Sequence, residues 1–113
     1  MNNYNFPIFR SGLELCVYIE TIVKGFDKYH KYTIGEDMRK FSKDILFIIN
    51  RVGLSQDKKR VLIRLRDRCE DMKMLILISK ELKAFKSFKQ FEHSSRLAVD
   101  IAKQSQAWLN SSR

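Results

Sequence analysis

The sequence predicts an all-α protein: an up-down antiparallel four-helix bundle forming one domain over residues 1–113. Three observations lead there. Apolar residues recur at steps of three and four through four long stretches, the spacing that lines up one face of a helix. The single proline and four glycines, read as punctuation between elements, leave few breaks and therefore few, long elements. No alternating strand pattern or hairpin dipeptide occurs. At 44% apolar and 12% aromatic, the chain has enough side-chain area for one core.

Residues 1–7 read as an extended lead. The first helix is predicted over about 9–28, with Leu15, Ile19, Ile22 and Phe26 at steps of four, three and four. Val17, Tyr18 and Val23 flank that stripe, and 27–32 reads as the turn at its end. The second helix is predicted over 33–53. Thr33, followed three residues later by Glu36, forms a capping-box pattern in which each side chain satisfies the other residue's free N–H. Its stripe is Ile34, Met38, Phe41, Ile45, Ile48 and Val52, and Gly53 marks the stop.

The third helix is predicted over 56–84, capped by Ser55 or Gln56, with Asp57 in its positive first turn. Leu62, Leu65, Cys69, Met72, Ile76 and Ser79 form its inner stripe, widened by Val61, Leu75, Ile78 and Leu82. At about 1.5 Å per residue it would be about 40 Å long. The fourth helix, over 87–110, opens on a second capping-box pair, Ser87 and Gln90. Its stripe is Phe88, Phe91, Ser95, Ala98, Ala102, Ser105 and Leu109, with Trp108 beside it. Short connections between long helices require antiparallel neighbours. The apolar runs 75–78 and 48–49 exceed what one seam needs; self-association would bury the surplus, the alternative being a wide core face in a monomer.

Little in the chain suggests catalysis. His30 and His93 begin no metal or triad spacing, and no phosphate-cradling glycine loop, HExxH or GxSxG occurs. Neighbouring acids such as Glu36-Asp37 and Glu70-Asp71 diverge around a helix rather than meet. Neither an enzyme nor a cofactor or metal centre is expected. Cys16 and Cys69 sit in apolar helical stretches without a second ligand nearby, as reduced buried thiols do. The opening Met1-Asn2-Asn3-Tyr4 lacks a signal-peptide pattern, and no apolar run is long enough to span a bilayer. The expectation is a cytoplasmic protein without membrane contact.

The basic residues are more informative. Twenty-two Lys and Arg oppose thirteen Asp and Glu, a formal charge of +9 that favours a polyanionic partner. Arg51, Lys58, Lys59, Arg60, Arg64, Arg66 and Arg68 crowd one stretch, opposed by Asp57 and Asp67. Arg60, Arg64 and Arg68 repeat every four residues and should form a ridge able to grip phosphates bidentately. A second group, Lys80, Lys83, Lys86 and Lys89, lies at the far end of the same helix. A third, Lys31, Arg39, Lys40 and Lys43, surrounds the start of the second helix. Tyr29 and Tyr32, flanking His30-Lys31, are the candidate base-stacking rings. The alternatives are a solvated basic face and a protein-binding scaffold.

The stretch Tyr29-His30-Lys31-Tyr32-Thr33-Ile34-Gly35-Glu36-Asp37-Met38-Arg39 is familiar. Together with 45–50, the turn Leu82-Lys83-Ala84-Phe85-Lys86-Ser87-Phe88-Lys89-Gln90-Phe91-Glu92 and the late Trp108, it resembles the accessory variability determinant proteins of diversity-generating retroelements. The similarity runs from about residue 13 to 110. These belong to a wider superfamily of four-helix bundles that includes proteins encoded in intervening sequences of 23S ribosomal RNA genes. The resemblance implies a homopentameric barrel of bundles with a basic surface, bound to the reverse transcriptase and its template RNA. It implies no catalysis, only support of mutagenic cDNA synthesis. Residue by residue it carries over Tyr29, His30, Lys31, Tyr32, Thr33, Gly35, Arg39 and Trp108. The intervening-sequence branch is the alternative. It has a Ser-Ile-Pro-x-Asn-Ile-Ala-Glu-Gly-like segment in its second helix, where this chain reads Phe41-Ser42-Lys43-Asp44-Ile45-Leu46-Phe47-Ile48-Ile49-Asn50.

Overall fold

A computed structural model describes residues 6–111, and residues 1–5 of the expected lead lie outside them. Helix α1 (Pro7–Val23) begins on the proline itself, at the first helical position, where a missing N–H costs nothing. The extended lead predicted through residue 7 therefore ends sooner. α1 also stops before 28, although Phe26 remains buried beyond its end. Where only a turn was expected, Asp27 accepts from the N–H of His30 at 3.2 Å and starts a one-turn helix, α2 (Lys28–Lys31).

That extra turn displaces the expected cap of the next helix, α3 (Ile34–Val52). The Thr33 hydroxyl donates to the Tyr29 carbonyl at 2.7 Å, so it satisfies the end of α2 instead of the start of α3. Glu36 pairs with Arg39, and no capping box forms. Helix α4 (Lys58–Glu81) is capped by Asp57, whose carboxylate accepts from the N–H of Arg60 at 3.2 Å. Neither Ser55 nor Gln56 is the cap; Ser55 Oγ accepts from the Asp57 N–H at 3.1 Å. A carboxylate both fills the orphan donor and complements the helix dipole, whereas a neutral cap does only the first.

α4 ends before 84. Ala84 N–H reaches the Ser79 carbonyl at 2.9 Å and Lys83 N–H reaches that of Lys80 at 3.0 Å, a Schellman closure. Its left-handed position, φ of 60°, is held by Lys83 where glycine is the usual residue. A Cβ there costs on the order of 1 kcal/mol. Lys83→Gly is accordingly expected to raise stability by about that amount, read as a higher midpoint in thermal denaturation. Ser87 Oγ accepts from Gln90 N–H at 3.3 Å and opens helix α5 (Phe88–Ser111). The Gln90 side chain returns to the N–H of Lys86, one residue short of a reciprocal box.

The four long helices form an antiparallel four-helix bundle, α1, α3, α4 and α5 in cyclic order, each packed chiefly on its two neighbours. It measures 44 × 23 × 20 Å. The predicted stripes of the first three long helices point inward: Leu15, Ile19 and Ile22; Ile34, Met38, Ile45, Ile48 and Val52; and Leu62, Leu65, Cys69, Met72, Ile76 and Ser79 are buried. Phe41 is half-buried at the α3–α4 seam.

α5 differs. Its buried line is Ser94, Leu97, Ala98, Ile101 and Ser105, so the stripe through Ser95, Ala102 and Leu109 is rotated off the true one, and Phe88 is exposed. Burying the large Leu97 and Ile101 gains more apolar area than burying Ser95 and Ala102. Ser42, Ser79, Ser94 and Ser105 are fully buried, and each hydroxyl donates to a carbonyl of its own helix at 2.5–3.0 Å. They are satisfied locally and let neighbouring helices come close.

Gly12 and Gly35 are buried inside helices rather than between them. A Cβ on Gly35 would stand 2.8 Å from Val23 Cγ1 and 2.9 Å from the His30 carbonyl oxygen. Burial pushes the Cys69 thiol up to about 12, keeping it protonated and inert. Cys16, expected to be buried, is only half-buried, and its thiol is also raised, by burial and against a hydrogen bond to Ser42.

Rings close both ends. Phe6 meets Trp108 edge-on at 6.5 Å at one end, and Phe26 meets Phe85 at 5.8 Å at the other. Of the two surplus apolar runs, Ile48 and Ile49 are buried within the single chain, as is Ile76, and Leu75 is half-buried, while Leu77 and Ile78 are exposed. With Met74 and Leu82, also exposed, they form a strip, so Ile78 and Leu82 do not widen the inner face as predicted.

Candidate nucleic-acid interface

The helical scaffold sorts the predicted basic residues into different places. Arg51, in the last turn of α3, and Arg60 and Arg64, in the first turns of α4, line one open groove of about 530 Å³ beside the α3–α4 connection. Leu54 and Val61 form its apolar wall, and Asp57 stands at its edge with one carboxylate oxygen engaged in capping. None of the three guanidinium groups has a carboxylate within ion-pair distance among the described residues. Lys59 is exposed next to them, with Asp57, Arg60 and Ile63 around a smaller hollow.

The electrostatics of this groove favour an incoming anion. Three cations share one hollow, and Arg60 sits in the first turn of α4, at the positive end of the helix dipole, where a cation is disfavoured by some tenths of a kcal/mol. A phosphate entering the groove relieves both repulsions. Planar guanidinium forks then meet its oxygens in pairs.

The predicted ridge breaks at Arg68. Its guanidinium lies 4.4 Å from the Phe41 ring centroid and 3.7 Å from Asp71, so it is spent on the α3–α4 seam. Arg66 turns to α5, donating to Gln106 at 3.4 Å, with Asp67 at 3.7 Å. Lys58 donates to the carbonyls of Val52 and Ser55 at 3.0 and 3.1 Å and ties down the connection on which the groove is built. All three are structural cations first.

The group around α2 also disperses. Arg39 pairs with Glu36, Lys43 reaches Glu20 of α1 at 3.1 Å, and Lys40 is exposed. Tyr29 and Tyr32 are exposed by 73% and 62%, so neither seals the end of the bundle. Lys31 Nζ lies 5.9 Å from the Tyr32 ring, and His30 sits against Asp27 at 3.8 Å. The antiparallel topology puts this α2 segment and the groove at opposite ends.

No protein-family model and no curated protein matches this chain. Among the described residues no group of three His, Cys, Asp or Glu is placed to hold a metal ion, and no helix is long and apolar enough to cross a membrane. Two features of the candidate surfaces lay beyond sequence reasoning. Leu54, in a connection, carries no periodicity to mark it as a groove wall. The lysines at 80–89 stood far from the tyrosines in the chain, yet the fold returns them to the same end.

Proposed function

We propose that the protein is a non-catalytic accessory subunit that holds template RNA for a reverse transcriptase in a diversity-generating retroelement. The observation that carries the RNA half of this reading is the convergence on one groove of Arg51, Arg60 and Arg64, none of them in an ion pair among the described residues. Contacts of that kind hold a nucleic-acid backbone without reading its sequence. The resemblance of 29–39 and 82–92 supplies the retroelement and the polymerase. Free Cys16 and Cys69 suit a reducing cytoplasm.

The exposed strip Met74, Leu77, Ile78 and Leu82 supports assembly into the homopentamer that the resemblance implies. The same strip favours the second reading, a protein-binding scaffold without nucleic-acid contact.

Two measurements separate them. Anisotropy of a labelled template RNA should show affinity falling about 10-fold or more between about 50 and 200 mM salt, as three or more phosphate contacts require. Capture of the reverse transcriptase should weaken when nuclease is added. Salt-independent, nuclease-resistant capture with no RNA binding would establish the scaffold instead.

A further inference from the structure

We propose that the opposite end of the bundle, which carries α2 and the α4–α5 connection, binds unpaired bases of single-stranded RNA. Phe88 serves as the stacking ring, and Lys80, Lys83, Lys86 and Lys89 hold the flanking phosphates. The inference extends the RNA-binding reading to a second site and specifies the form of RNA it takes.

Phe88 is 65% exposed at the first residue of α5, a place where a small polar residue would satisfy the helix equally well. Its ring is backed on one side by Phe91, with centroids 5.5 Å apart and planes tilted by 52°. Phe91 in turn leans on Phe85, and Phe85 on Phe26, so the exposed ring is anchored through a chain of rings to the core. Phe88 borders a shallow hollow of about 230 Å³ with Lys80, Lys83, Phe85, Ser87 and Phe91.

Three of the four lysines around the ring lack a counter-charge among the described residues. Lys83, Lys86 and Lys89 are exposed, with no carboxylate in ion-pair range among the described residues. Lys80 stands 5.0 Å over the Phe91 ring and 3.9 Å from Glu81. Lys83 occupies the left-handed position of the α4 closure, where glycine would fit without strain. A costly lysine there is accounted for if its ammonium group is used.

Topology adds two more rings. The Phe26–Phe85 contact fastens the end of α1 to the α4–α5 connection, so exposed Tyr29 and Tyr32 belong to the same end. Exposed rings interleaved with unpaired lysines are the arrangement that stacks splayed bases while tracking their backbone. A duplex keeps its base faces covered and offers such rings nothing. An acidic peptide would use the lysines but leave the rings idle. The arginine groove lies at the far end of α4, a helix of 24 residues.

The test uses the full chain, a fluorescein-labelled oligouridylate and a labelled blunt RNA duplex. Phe88→Ala should weaken oligouridylate binding about 5- to 150-fold, the range of one lost stacking contact, and leave the duplex unchanged. Phe88→Trp should restore it. Lys83→Gly should weaken the oligouridylate several-fold while raising the melting temperature. The proposal is overturned if Phe88→Ala changes neither ligand or both equally, or if polyglutamate displaces oligouridylate as well as unlabelled oligouridylate does. Charge reversal in the arginine groove reports separately: if harmless to both ligands it removes the groove, while a selective Phe88 effect keeps this site standing.

Discussion

Simultaneous Arg51→Glu, Arg60→Glu and Arg64→Glu is expected to lower duplex-RNA affinity on the order of 10³-fold at about 50 mM salt. Each phosphate contact contributes roughly 0.7–0.9 to the salt slope, so at this ionic strength three contacts multiply to about that factor before any repulsion from the new carboxylates. The slope itself should flatten by about two to three. The fold should survive, because all three side chains are exposed and make no ion pair within the described residues. A glutamate at 60 also sits in the first turn of α4, where it is favoured. An unchanged or higher melting temperature with lost binding is the expected pair of readings; full affinity would remove the groove from the RNA-binding reading. Arg68→Glu makes the contrast. It removes the guanidinium from the Phe41 ring and sets a carboxylate beside Asp71, so stability should fall while duplex affinity barely changes.

Gly35→Ala is expected to destabilise the bundle by about 2 kcal/mol, lowering the melting temperature by about 6–12 °C. The new Cβ would press on the His30 carbonyl at 2.9 Å and on Val23, which is fully buried and β-branched, at 2.8 Å. Neither can move without shifting backbone or an already packed core. Gly12→Ala is the internal control. Its Cβ would meet the Cδ1 atoms of Ile49 and Leu46, at 2.6 and 3.3 Å. Those are side-chain ends that can turn away, and the gain in helix propensity offsets much of the cost. Equal melting temperatures for the two variants would show that α2 yields freely. In that case the close approach of α2 to α3 is not what holds Tyr29 and Tyr32 in place.

Much of this architecture was legible in the chain. The stripes of α1, α3 and α4 ran true, apart from half-buried Phe41, because large apolar residues stand at nearly all of their three-and-four steps. α5 misled because two registers satisfy the same spacing: Ser95, Ala98 and Ala102, or Ser94, Ala98 and Ile101. Only the size of Leu97 and Ile101 distinguishes them, and size decides once three other helices compete to fill the core. The capping box at Thr33 failed for a related reason. A Thr-x-x-Glu pattern says what the residues are able to do, but the carbonyl of Tyr29, delivered by an unforeseen turn of helix, took the hydroxyl first.

For the candidate sites the division is sharper. Sequence alone determined the helical class, the long antiparallel elements, most of the inner faces and the excess of positive charge, because each is a local or summed property of the chain. It could not say which cations stand together. Arg68 continued the Arg60–Arg64 spacing yet packs on Phe41, while Arg51, on another helix, completes the groove. Only tertiary structure decided that Tyr29, Tyr32, Phe88 and the lysines of 80–89 share one end. The physical reason is range: periodicity is written along a single helix, whereas a binding site is made where different helices meet, and that depends on how their side chains pack.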